Sequence, residues 1–292
     1  MKLLRAAKAR VALAFYALLR RTAPQTRAAN DRIVSAVYAL VRRVIPAAYA
    51  SDGLISVHSH SFMQEAKFLD AYARGVKALG GVDTYQFYWR VHVGLWVASI
   101  ASQLDGDFVE CGVNKGFMSS AIMENLDWNS LNRDFYLLDT FAGLDERFVS
   151  DEELSSGAMR TNEWNLLSGY YIKGSDSVRE NFAEWQRVHV IEGTIPDTLT
   201  EVESQRLAYL HIDLNCAPPE IAAIEYFWDK LTPGAPVLLD DYAYFGFTPQ
   251  KLAMDEFART HGVSICSLPT GQGLLIKPPP LAPQSAPSDH SG

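Results

Sequence analysis

Asp107-Phe108-Val109-Glu110-Cys111-Gly112-Val113-Asn114-Lys115-Gly116 runs straight into Phe117-Met118-Ser119-Ser120-Ala121-Ile122-Met123. A short apolar run ends in an acid, a glycine turn follows, and a helix-forming stretch closes the unit. That is the opening strand–turn–helix of a doubly wound α/β sheet, whose ligand crevice lies at the carboxyl ends of the strands. The turn narrows the ligand. A dinucleotide site uses Gly-x-Gly-x-x-Gly, with bare backbone amides facing a pyrophosphate. Here the spacing is Gly112-x-x-x-Gly116, and the carboxylate of Glu110 sits at the strand end. That charge would repel a pyrophosphate. It suits a ligand bearing an ammonium group, such as the methionine end of S-adenosylmethionine.

Downstream, the alternation continues. Phe135–Asp139 reads as a buried strand ending in an acid. Residues 140–174 form a connection too long for a routine loop, which predicts a lid or substrate loop. A helix over 175–185, a strand over Val188–Glu192 and a strand over 207–213 follow. Then come a helix over 219–231, a strand over 235–240 and a helix over 249–261. Two last strands, 263–268 and 273–277, are joined closely enough for a hairpin. Alternating units closed by an antiparallel pair predict a seven-stranded, Rossmann-like α/β sheet of the class I methyltransferase type rather than a dinucleotide fold. Upstream, residues 60–103 read as helical, with Trp89, Val93, Trp96, Val97 and Ile100 spaced for burial against the sheet.

The chain has 292 residues, 48% of them hydrophobic and 21% charged, enough for one large domain plus accessories. Its net charge of −8 hides an asymmetry. Residues 1–50 carry ten Lys/Arg and one acid, Asp31, whereas the remainder carries 16 basic and 33 acidic residues. An acidic body argues against nucleic acid as the main partner. Cys111, Cys216 and Cys266 have neither disulfide nor zinc spacing, which predicts reduced thiols and a cytoplasmic setting.

The chain therefore divides, as an expectation, into a basic helical arm (1–50), accessory helices (51–104), the cofactor domain (105–277) and a Pro/Ser-rich disordered tail (278–292). In the arm, residues 2–20 read as a basic helix whose apolar stretch, residues 11–19, is too short to span a bilayer. A second helix fits residues 31–45, with Ile33, Val37, Leu40, Val41 and Val44 on one face and Pro46 as its stop. The arm reads either as a membrane-surface element or as a helical pair packing on the domain or on a second copy in a homo-oligomer. His58 and His60 form His-x-His, and no third ligand stands near them in sequence.

Four predicted strands end in acids: Glu110, Asp139, Asp213 and Asp240, the last followed by Asp241. In a parallel sheet those ends share one edge. Asp139 is placed to accept hydrogen bonds from ribose hydroxyls. Asp213, Asp240 and Asp241 would crowd together if their strands are neighbours, and no basic residue stands beside them in sequence. Crowded carboxylates suit Mg²⁺ or Mn²⁺. The alternative reading makes them a helix cap and a lone strand-end acid. His211 lies two residues before Asp213, so it shares a strand face with it and is a candidate general base alongside a packed-histidine reading.

Six segments taken in order resemble the macrocin-type sugar O-methyltransferases. They are residues 106–113, 138–144, 193–199, 211–213, 240–242 and 254–257. The resemblance implies a class I, S-adenosylmethionine-dependent, divalent-metal-assisted O-methyl transfer to a sugar hydroxyl of a natural product or glycan. By the same resemblance Glu110, Gly112, Asn114 and Gly116 line the methionine portion. Asp139 and Thr140 hold the ribose, Gly193 and Thr194 lie near the adenine, and Asp213, Asp240 and Asp241 hold the metal. Asn114-Lys115-Gly116-Phe117 and Leu214-Asn215-Cys216 depart from the family's usual residues. A nicotinamide oxidoreductase on a related sheet, and a non-catalytic scaffold recruited through residues 1–50, are the rival readings.

Overall fold

The computed structural model describes residues 27–45 and 48–280. The predicted helix over 2–20 and the tail from residue 281 lie outside the described residues. Helix α1 (Arg27–Val44) precedes a two-stranded antiparallel hairpin, β1 (Tyr49–Ser51) and β2 (Leu54–Ser56), whose turn is Asp52-Gly53.

The helical block expected over 60–103 divides in two: α2 (Ala66–Ala78) and α3 (Tyr88–Ala101). The break has a local cause. Gly80 and Gly81 take φ of +90° and +93°, which glycine adopts without steric cost. Asp83 then caps the next turn, its Oδ1 accepting from the amides of Tyr85 and Gln86 at 2.9 Å each. The face of α3 that packs inward overlaps the expected one only in part, with Trp89 and Val93 half-buried against the core. Val91, Leu95, Val97, Ala98 and Ala101 are buried, while Trp96 and Ile100 are exposed.

The main sheet contains β3 (Asp107–Cys111), β4 (Phe135–Asp139), β5 (Val188–Glu192), β6 (Leu207–Ile212), β7 (Pro236–Leu239), β8 (Cys266–Ser267) and β9 (Gly273–Ile276). Their spatial order is β5-β4-β3-β6-β7-β9-β8. The first five are parallel, β9 runs antiparallel to β7, and β8 pairs antiparallel with β9. This is the seven-stranded sheet with an antiparallel closing pair that the sequence predicts, though β8 is only two residues long. Chain order reverses at β3, between β4 and β6, and the crevice above that point is where a doubly wound sheet takes its ligand.

Side chains alternate between two apolar layers, as a sheet covered on both faces requires. Phe108, Phe135, Leu137 and Tyr209 pack towards α3 and α4 (Phe117–Leu126). Val109, Tyr136, Leu138, Leu210, Ile212 and Val237 pack towards α8 (Ala217–Trp228) and α9 (Thr248–Thr260). The labels between are α5 (Asp151–Ser156), α6 (Ala158–Leu167) and α7 (Asp176–Phe182). Helices α5 and α6 fall inside the long connection after β4, where Ser150 and Glu153 form a reciprocal capping box at the start of α5.

Candidate active site

The strand registers carry the acids to one edge. Cys111 is level with Leu138 on β4 and with Ile212 on β6. Gly112 therefore lies beside Asp139 and Asp213, and Asp213 lies beside Asp240 because Ile212 pairs with Leu239. Glu110 is one residue inside β3 rather than at its end, opposite His211 on β6. Gly112 is demanded by the chain itself. It has φ +94°, and a Cβ there would stand 1.9 Å from the Asp213 carbonyl oxygen.

A charged relay fills the floor. The carboxylate of Glu110 is buried, with Oε1 accepting from His211 Nδ1 at 2.9 Å and Oε2 without a partner among the described residues. His211 Nε2 points towards Asp240 Oδ1 at 3.8 Å, beyond hydrogen-bond range. Burial alone would lower the pKa of His211, but the carboxylates of Asp240 and Glu110 raise it to about 10. The flanking carboxylates favour the protonated imidazole, which weighs against the general-base reading of His211.

That shift has a testable consequence. The charge on His211 contributes stability that is fully present below pH 6.5 and is lost as the pH rises through about 10. His211→Gln keeps a donor to Glu110 but loses the charge. It should cost about 1.5 kcal/mol at pH 7, with the gap to wild type narrowing towards pH 10 in urea denaturation. A pH-independent gap would contradict the protonated imidazole.

Arg90, contributed by α3, is the group that sequence reading missed. It is 6% exposed. Its guanidinium pairs with Asp240, lies 3.5 Å from Asp241 Oδ1, and donates through Nε to Asp52 Oδ2 at 2.9 Å. The Tyr244 ring stacks on it, 4.4 Å from the ring centroid. The signal was a lone cation in phase with the apolar face of α3, where Arg90, Gly94, Val97 and Ala101 all are buried. Gln272 Nε2 also donates to Asp240 Oδ1 at 2.8 Å. Burial would raise the carboxyl of Asp240, but Arg90 and His211 hold it below the ordinary carboxylate range. Asp241 is pushed up to about 7 by burial, with Arg90 opposing and Asp240 adding to the rise. Asp213 is raised by burial and by both neighbouring acids, and Asn215 Nδ2 donates to its Oδ1 at 2.9 Å.

The expected three-carboxylate metal site is not seen among the described residues. Asp240 is committed to Arg90 and Gln272, and among the described residues no group of three or more His, Cys, Asp or Glu is arranged to hold a metal. His58 and His60 form no such site either. The remaining donors are hard oxygens on Asp213 and Asp241, which suit Mg²⁺ in chemistry, since that ion takes one or two carboxylates and fills its shell with water and substrate. Asp52, Asp213, Asp240 and Asp241 together outnumber the one guanidinium among them.

The cofactor side of the cleft is more fully ordered. Asp139 Oδ2 accepts from the Asn114 amide and Oδ1 from the Phe141 amide, both at 2.7 Å. Burial raises its pKa and these amides oppose the rise. Each oxygen keeps a lone pair for a further donor. Thr140 turns its hydroxyl onto the Gly143 carbonyl at 2.6 Å, so it shapes the loop. Gly193 N donates to the Asp139 carbonyl at 2.9 Å, and Thr194 Oγ1 to Asp145 Oδ2 at 3.0 Å. Asn114, at φ +47°, ties the turn to the long connection. Its Nδ2 donates to the Tyr170 carbonyl at 3.1 Å, and its Oδ1 accepts from the Ile172 amide at 3.0 Å. Lys115 Nζ adds a bond to the Gly169 carbonyl at 2.6 Å. Glu110, Gly112, Asn114, Asp139, Thr140, Gly193, Thr194, Asp213, Asp240 and Asp241 all line one cleft of about 1470 Å³; Gly116 supports it from behind, against Phe182.

The strand order and the acid-floored cleft at the switch point define a class I methyltransferase architecture. The chain belongs to the macrocin-O-methyltransferase (TylF) family, whose profile matches residues 95–266. It is 30% identical over 152 residues to the 8-demethyl-8-(2,3-dimethoxy-alpha-L-rhamnosyl)-tetracenomycin-C 4'-O-methyltransferase of Streptomyces olivaceus, covering 49% of this chain and 56% of that protein. It is 22% identical over 174 residues to the mycinamicin III 3''-O-methyltransferase of Micromonospora griseorubida, covering 57% of this chain and 66% of that protein. The chain thus spans less than two thirds of the length of either curated relative. Among solved structures, the O-methyltransferase NovP superposes with a TM-score of 0.56 at 20% identity, over 65% of this chain and 80% of that one. The calicheamicin methyltransferase CalS11 gives 0.53 at 15% identity, over 73% and 93%. These two support the fold.

Proposed function

We propose that this protein transfers a methyl group from S-adenosylmethionine to a hydroxyl of a sugar or of a sugar-bearing molecule. One observation carries the reading. A buried carboxylate oxygen, Glu110 Oε2, stands unpartnered among the described residues beside the glycine turn, with Asp139 one strand away. An ammonium group satisfies the first and ribose hydroxyls the second; a pyrophosphate satisfies neither. One curated relative is named for 4'-O-methyl transfer to a rhamnosyl-bearing tetracenomycin and the other for 3''-O-methyl transfer to mycinamicin III. This supports a glycosidic acceptor here.

The proposed step is an in-line displacement. The acceptor oxygen bonds to the methyl carbon as the carbon–sulfur bond breaks, the sulfonium becomes a neutral thioether, and the hydroxyl proton leaves through the open cleft to water. Glu110 fixes the methionine end of the cofactor and Asp139 its ribose, and Asp213 and Asp241 orient the hydroxyl, which supplies the proximity part of the acceleration. A divalent cation belongs to the proposal in a narrower form than the three-acid trio: Asp213 and Asp241 would hold it, with Asp240 kept back by Arg90. When bound, such an ion supplies Lewis-acid polarisation of the hydroxyl.

Calorimetry with S-adenosylhomocysteine tests the cofactor assignment. Asp139→Ala should weaken binding by about 1.5–3 kcal/mol, the worth of charged hydrogen bonds to two hydroxyls, while NADH should not bind. Unchanged affinity in a folded Asp139→Ala variant would remove Asp139 from the cofactor site.

A further inference from the structure

The turn of the β1–β2 hairpin enters the cleft, although it lies in the segment expected to be accessory. Asp52 and Gly53 have φ of +46° and +73°, the two-residue geometry that Asp-Gly favours. Several bonds fix the turn. The Gly53 amide donates to Tyr38 Oη, Ser51 Oγ to the Tyr85 carbonyl and Arg42 Nη1 to the Ala50 carbonyl, each at 2.8 Å. The side chain of Asp52 is only 4% exposed, with Oδ2 held by Arg90 Nε. Its other oxygen, Oδ1, has no partner among the described residues, and Asp52 lines the cleft alongside Arg90 and Asp241. A buried carboxylate oxygen left without a donor is costly, so this rigid, prepaired group is poised to accept from something that enters the cleft.

The charge of the cleft says what that something carries. Nine carboxyl side chains line it, against His211 and three Lys or Arg: Arg42, Arg90 and Lys115. Each of the three is engaged, Arg42 and Lys115 on backbone carbonyls and Arg90 among its carboxylates. One divalent cation would leave the cleft acidic. Such a potential repels phosphate and attracts neutral or positively charged polyols.

We propose that Asp52 is an acceptor-positioning residue, its free oxygen taking a hydrogen bond from a hydroxyl or ammonium of the acceptor. The acceptor is then a neutral or cationic glycoside rather than a sugar phosphate or nucleotide sugar. This rests on the methyl-transfer reading above.

The test uses the full chain and one sugar in two forms: the p-nitrophenyl glycoside of rhamnose and its thymidine-diphosphate ester. Asp52→Asn and Asp52→Gly are compared with wild type, the glycine variant being chosen because that backbone conformation suits glycine. The neutral rhamnoside should be methylated with kcat/KM at least about tenfold above the diphosphate form. Both variants should raise its KM about tenfold, the worth of one charge-assisted hydrogen bond. Their kcat should stay within about threefold, and calorimetric S-adenosylhomocysteine affinity should not change. Unchanged KM in both variants, preference for the diphosphate form, or methylation of neither probe by protein that binds S-adenosylhomocysteine would overturn the proposal. Wild-type protein that does not bind S-adenosylhomocysteine would overturn the functional reading, and this proposal with it.

Discussion

Arg90→Leu should cost the fold about 4 kcal/mol at pH 8, the penalty for removing one partner of a buried ion pair. The change leaves Asp52, Asp240 and Asp241 facing one another with no guanidinium between them. Leucine fills much of the apolar volume of the side chain, so the loss reports charge more than packing. At pH 5 the deficit should shrink, because carboxyls crowded without a counter-charge take up protons. Asp52 and Asp241 already stand near 6 and 7, raised by burial with Arg90 opposing. Urea denaturation of both proteins at the two pH values measures this. A cost below about 1 kcal/mol, of the order of an exposed ion pair, would show that Arg90 does not bind the acidic cluster together.

Excess chelator should lower methyl transfer by at least about a thousandfold, roughly 4 kcal/mol of lost transition-state stabilisation, and added Mg²⁺ should restore it. Asp213→Asn should fall by a similar factor. Neither treatment should alter S-adenosylhomocysteine affinity, because Glu110 and Asp139 lie on β3 and β4. Turnover with the rhamnoside after chelation, beside calorimetry on the same sample, separates the two effects. Full turnover in chelator would leave Asp213 and Asp241 as acids balanced by Arg90 and His211 alone.

What could be read in the sequence followed from local pattern. Strands β3, β4 and β5 were legible because each is a short apolar or β-branched run stopped by an acid or a glycine. The closing antiparallel pair was legible because a five-residue link is too short for a parallel crossover. The inward face of α3 was legible only in part. The helix is apolar nearly all round, so no polar stripe fixes its phase. The break between α2 and α3 was written in Gly80-Gly81 and Asp83.

The floor of the site was legible only in part, for a different reason. Whether three carboxylates need a cation depends on every charge near them, and only sequence neighbours can be counted from sequence. Arg90 reaches Asp240 across 150 residues and Asp52 across 38. His211 was limited in the same way: its position on the strand face could be read, but the carboxylates on both sides that favour its protonated form come from β3 and from the loop after β7.

The proposed reaction is methyl transfer from S-adenosylmethionine to a glycoside hydroxyl. The most direct measurement is to incubate the full chain with Mg²⁺, S-adenosylmethionine bearing a trideuterated methyl group and the p-nitrophenyl rhamnoside, and follow the glycoside by mass spectrometry. Methyl transfer yields one trideuteromethyl group on a sugar oxygen, with S-adenosylhomocysteine formed in equal amount. An unmodified glycoside and intact S-adenosylmethionine, with NADH binding to the same protein, would contradict it.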